Sequence, residues 1–97
     1  MSSVIVTPTA QRNLKTLIRT HSLPESTSAR FRHSLEPLRK FPLIGAPLPG
    51  RALELRFILG PWRWMLVVYR YYADADQVRV LSVHDARSAR SPTSSTD

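Results

Sequence analysis

A chain of 97 residues without cysteine suffices for one domain and excludes both a disulfide framework and a thiolate metal site. Twelve arginines and two lysines against seven carboxylates give a net charge of +7, which either attracts an anionic partner, nucleic acid or acidic protein, without choosing between them, or serves only as a solvated, solubilising face. The apolar run at residues 4–6 falls short of the ~7–15 residues of a signal-peptide core, and residues 64–69 fall short of the ~20 of a bilayer span. A soluble, cytoplasmic protein away from membranes is expected.

Val4, Ile5 and Val6 are β-branched and predict a first strand. Thr7-Pro8 announces a helix, because threonine can cap it and proline suits the first helical position, where its missing N–H costs nothing. Ala10, Leu14, Leu17 and Ile18 recur at helical spacing and predict a helix over residues 8–20. Residues 21–25 break and restart the chain, and Ser22 with Glu25 has capping-box spacing. Ala29, Phe31, Leu35 and Leu38 mark the apolar side of a second helix. Pro37 should kink or end it near Glu36, with Leu38 and Phe41 still packing on the core.

Residues 41–51 hold three prolines and two glycines and predict a turn-rich connection. Leu53, Leu55, Phe57 and Leu59 then alternate with Glu54, Arg56 and Ile58, the period of a strand. Gly60-Pro61 makes a turn, residues 62–72 a central strand buried on both faces, residues 74–76 a turn, and residues 77–84 the last strand. The predicted fold class is α+β, in the order βααβββ. Its antiparallel sheet carries the N-terminal helical hairpin on one face and leaves the other open to a ligand or partner. The domain spans residues 1–87, and residues 88–97, rich in Ser and Thr without apolar periodicity, read as a disordered tail.

No phosphate loop, GxSxG or HExxH motif is present, and neither a cofactor nor a metal is expected. His21 and His33 read as helix-surface residues. His84 ends the last strand beside Asp85 and Arg87, where it could serve as a general acid or base, or simply as a hydrogen-bonded strand-end histidine. Arg56, Arg63, Arg70 and Arg79 lie in otherwise apolar strand segments, where charge is costly unless paired or solvated. Either they face the open side and bind something anionic, or they pair internally with Glu54 or Asp85. Trp62, Trp64, Tyr69, Tyr71 and Tyr72 could stack on bases, but in a central strand they read rather as core.

Several of these residues fall into a familiar order. Phe41-Pro42-Leu43-Ile44-Gly45, then Leu55-Arg56, then Val68-Tyr69-Arg70, then Val80-Leu81-Ser82-Val83-His84-Asp85-Ala86-Arg87 resemble the RelE/ParE toxin superfamily, and Ala10 and Leu14 fit its first helix. The resemblance covers residues 4–87. It implies the toxin of a type II toxin–antitoxin system, neutralised by a cognate antitoxin in a hetero-oligomer. RelE-like members cut messenger RNA on the ribosome with basic residues and a terminal acid or base, whereas ParE-like members poison DNA gyrase and need no such set. Where RelE has two lysines this chain has Ala52 and Glu54, where RelE has an arginine it has Leu66, and no tyrosine follows the last strand. The ending His84-Asp85-Ala86-Arg87 is similar to the ParE-like His-x-x-Arg close, so the resemblance is closer to ParE and implies gyrase inhibition. The alternative it leaves is a ribosome-dependent endoribonuclease, with His84, Arg87 and Arg56 as catalytic candidates. Arg56, Arg63, Arg70, Arg79 and Arg87 are candidates for holding target or antitoxin. A non-toxic nucleic-acid-binding module is a further reading, marked by salt-dependent binding without toxicity.

Overall fold

The computed structural model describes residues 1–50 and 54–88. The predicted tail from residue 89 onward, and residue 53 of the predicted strand, lie outside the described residues.

Strand β1 (Ser3–Val6) leads into helix α1 (Pro8–Thr20), as the sequence predicts. The Thr7 hydroxyl accepts from the Ala10 N–H at 3.3 Å and donates to the Val80 carbonyl at 2.8 Å, so one side chain both caps α1 and ties it to the sheet. Helix α1 ends at Thr20 as predicted, but Ser22 plays a different part from the one expected. Ser22 takes a left-handed conformation (φ 51°), its N–H reaches the Arg19 carbonyl at 3.5 Å, and the Leu23 N–H reaches Ile18 at 3.0 Å. This is a Schellman C-cap, so Ser22 closes α1 and does not open the next helix.

Helix α2 (Thr27–Ser34) starts after Ser26 and stops three residues before Pro37, and one further turn, α3 (Pro37–Lys40), follows. The break near Glu36 is the one Pro37 predicts. The buried face of α2 is set by Thr27 and Phe31, while Ala29 is exposed. Leu38 is fully buried, but Phe41, expected in the core, is 59% exposed, because the chain leaves α3 before reaching the sheet.

The predicted fold class holds, with one added strand and one parallel pair. A two-residue strand, β2 (Ala46–Pro47), forms inside the proline-rich connection and pairs with β3 (Arg56–Leu59). The last strands are β4 (Met65–Tyr72) and β5 (Gln77–Asp85), in a five-stranded sheet of order β1-β5-β4-β3-β2. All neighbours are antiparallel except β1 and β5, which run parallel because the α1–α2 hairpin carries the chain across the sheet. Strand β4 begins at Met65, not at residue 62, since residues 61–64 form the turn. Its first five residues are buried, as predicted for a strand covered on both sides.

Between β4 and β5 the register slips: Val68 faces Ser82 while Tyr69 faces Val80, leaving Leu81 as the extra residue of a bulge. The bulge resets the alternation of β5. Val78, Val80 and Val83 therefore all face the helices despite their mixed parity, joining Ala10, Leu14, Phe31, Leu35, Leu38, Met65, Val67 and Tyr69 in the main core. Each such Val, Leu, Phe or Met side chain contributes about 1.5–3 kcal/mol when fully buried. The opposite face carries a smaller cluster of Leu48, Leu66 and Val68, with Leu55, Phe57 and Ala86 against it, and among the described residues no helix covers it.

Candidate functional site

The cross-strand partners divide the candidate residues between the faces. On the uncovered face, Arg70 stands opposite Arg79, Tyr72 opposite Gln77, Val68 opposite Ser82 and Leu66 opposite His84. The guanidinium carbons of Arg70 and Arg79 lie 4.8 and 4.5 Å from the Tyr72 ring centroid, and Arg79 Nε donates to Gln77 Oε1 at 2.6 Å. His84 exchanges a 2.8 Å hydrogen bond with Ser82 Oγ.

Arg56 belongs to the other side. Its cross-strand partner is Tyr69, which lies in the helix-covered core, and its Nη1 donates to the Gly45 carbonyl at 2.8 Å. The Tyr69 hydroxyl accepts from the Gly45 N–H at 2.9 Å, so the two side chains grip both polar groups of one peptide residue. Burial pushes the Tyr69 hydroxyl above its ordinary pKa and keeps it protonated. Of the internal pairings open for Arg56, none with a carboxylate forms among the described residues. Its partner is a backbone carbonyl. Arg63 is exposed in the turn before β4, so it is no strand arginine.

The end of β5 meets the end of α1. Asp85 accepts from His21 Nε2 at 2.9 Å and from the Arg87 guanidinium at 3.0 Å through two nitrogens, with the Arg87 backbone N–H at 2.9 Å. The Arg87 fork, its backbone N–H and His21 together hold the Asp85 carboxyl well below the usual carboxylate range, against the burial that would raise it, and the same ion pair raises Arg87. His21 stacks on Trp64 at 4.6 Å, and the Arg87 guanidinium lies 4.8 Å from the same ring. A hollow of about 380 Å³ opens beside this group, lined by Asn13, Leu17, His21, His84 and Asp85 among others. Asn13 Oδ1 accepts from the Val83 N–H at 3.1 Å, fixing the hollow's wall to α1.

Two of these residues escaped the sequence reading, and both carried a signal. His21 follows Leu14 and Leu17 at steps of three and four, so it continues the apolar stripe of α1 and is not the surface residue expected. Asn13 is a polar residue at a core-facing position between Ala10 and Leu17. The structure thus groups Asp85 and Arg87 with His21 at the end of β5, places His84 beside them on the uncovered face with Arg70 and Arg79 further along that face, and sets Arg56 apart from both groups. Among the described residues no cluster of His, Cys, Asp or Glu is arranged to hold a metal ion, and no helix is long and apolar enough to cross a membrane.

Three solved structures share this architecture. A chain of the toxin–antitoxin complex RelBE2 from Mycobacterium tuberculosis is 24% identical at a TM-score of 0.62, covering 87% of this chain and 96% of that one. The isolated E. coli RelE toxin is 18% identical at a TM-score of 0.62, over 93% of this chain and 89% of that one. A chain of the intact E. coli RelBE toxin–antitoxin complex is 16% identical at a TM-score of 0.58, over 91% of this chain and 100% of that one. The chain has the RelE toxin fold. No protein-family model matches the sequence, and no curated protein is significantly similar to it.

Proposed function

We propose that the chain is the toxin of a type II toxin–antitoxin pair, held by a cognate antitoxin in the cytoplasm. When free, it acts by binding an essential machine, DNA gyrase in the first instance. The observation that carries the toxin reading is the fold: two of the solved structures that share it are toxin–antitoxin complexes and the third is a RelE toxin. Binding is favoured over cleavage by the dispersal of the nuclease candidates. Arg56 lies across the sheet from His84, holding Gly45, and the Arg87 fork is closed on Asp85. Acid–base catalysis, worth roughly 10²–10⁴-fold, needs its groups within hydrogen-bond reach of one reacting centre. The ParE-like close at His84 and Arg87 supports the same reading.

Ribosome-dependent RNA cleavage is the second reading, favoured by the RelE identity of the solved relatives and by His84 on the rim of the hollow. Induced cells separate the two. DNA damage and filamentation, with His84→Ala still toxic, is the expected result. Codon-phased cuts in translated messages by primer extension, abolished by His84→Ala, would replace gyrase with the ribosome and make His84 the catalytic residue.

A further inference from the structure

Arg70 and Arg79 are direct cross-strand partners on the uncovered face, and like charges so placed repel. Neither forms an ion pair among the described residues, nor does any protein hydrogen bond tie the Arg70 guanidinium or the Arg79 Nη groups there. Both guanidinium carbons pack on the one Tyr72 ring, 4.8 and 4.5 Å from its centroid. Two guanidiniums on one aromatic ring, without a carboxylate partner among the described residues and on a protein of net charge +7, are suited to take up an anion.

We propose that Arg70, Arg79 and Tyr72 form a carboxylate clamp that takes an Asp or Glu side chain from an acidic, otherwise apolar segment of a partner protein. As the partner is the antitoxin, this rests on the toxin reading and locates one anchor of that complex. The surroundings select a peptide over a nucleic acid. Beside the pair stand aliphatic side chains: Ile5, 43% exposed, directly opposite Arg79, and the partly buried Leu55 on the same face. A phosphodiester strand would need a continuing row of cations and free aromatic faces on which to stack bases. The Tyr72 ring is occupied by the arginines, Trp64 by His21 and Arg87, and Tyr69 is buried. A carboxylate flanked by apolar side chains meets both the charge and the aliphatic rim.

The test is an NMR titration of the purified full chain with three probes: a synthetic peptide alternating Glu and Leu, its Gln-for-Glu counterpart, and a dodecameric oligothymidylate. The Glu peptide should shift the Arg70 and Arg79 Nε–H and Tyr72 ring signals and bind at least ~10-fold tighter than the Gln peptide, the scale of a charge-assisted pair. Arg70→Gln/Arg79→Gln, both at the surface, should keep the β4–β5 amide pattern and lose that advantage. A Glu peptide that binds the double variant equally well overturns the clamp. So does oligothymidylate that competes for the same three signals, which would assign the pair to nucleic acid. The titration requires no toxicity, so the two readings fail separately. A wild-type chain that leaves growth normal sinks the toxin reading, whereas a toxic chain whose peptide binding ignores Arg70 and Arg79 sinks the clamp alone.

Discussion

Gly45 sits where a side chain has no room. A Cβ there would lie 2.6 Å from the Phe57 carbonyl oxygen and 2.7 Å from the Tyr69 hydroxyl, a backbone atom and a fully buried ring that cannot swing aside. The same residue is gripped by Tyr69 and Arg56, so its glycine identity and the Leu55-Arg56 motif serve one purpose, which is to fix the connection against the sheet. Gly45→Ala is expected to cost about 1–3 kcal/mol through overpacking, read as a lower urea midpoint at unchanged slope. The arginine motif was visible in the sequence, but its role was not. Nothing in the order of residues shows that a strand arginine will turn to the covered face and spend its donors on a backbone carbonyl.

The elements differ in how much of them was local. Helix α1 was fully legible because its cap, its proline and its apolar stripe all lie within its own residues 7–20. Ser22 was misread because Ser-x-x-Glu spacing also arises when a helix ends at the serine, and only the backbone shows which. A serine at φ 51° carries a left-handed penalty of roughly 1–2 kcal/mol, partly offset in glycine by its greater unfolded freedom. Ser22→Gly should therefore raise stability by about 0.5–1 kcal/mol, seen as an increase in melting temperature, and a decrease would remove the Schellman assignment. Strand β2 was illegible for the opposite reason. Two residues carry no period, and Ala46 and Pro47 become a strand only because β3 offers an edge, where proline's missing N–H is tolerated. The bulge at Leu81, which decides the face of His84, is likewise a product of pairing with β4.

At the scale of the molecule, two carboxylates close the fold at opposite ends of β5. Asp85 joins α1 to the strand end, and Asp76 accepts from the Ser2 hydroxyl at 2.6 Å and the Tyr71 hydroxyl at 2.8 Å, tying the N-terminus to the last turn. Both carboxyls are held below their ordinary pKa, Asp85 by Arg87 first and Asp76 by Ser2 first. Their folded values lie below their unfolded ones, so the unfolded chain binds more protons in between. Their stabilisation is complete above the unfolded value of ~3.9 and is lost as pH falls through the folded values. The melting temperature should drop below about pH 4, and Asp85→Asn should start lower and fall less steeply. A variant with the wild-type slope would mean that the Asp85 ion pair does not contribute.

What the molecule does follows from its fold, its charge and its one uncovered face, and bacterial growth reads that claim most directly. Induced expression of the chain alone should arrest growth, and co-expression of the small protein encoded beside it should restore growth and co-purify with it. Normal growth in cells accumulating verified, folded protein would contradict the account.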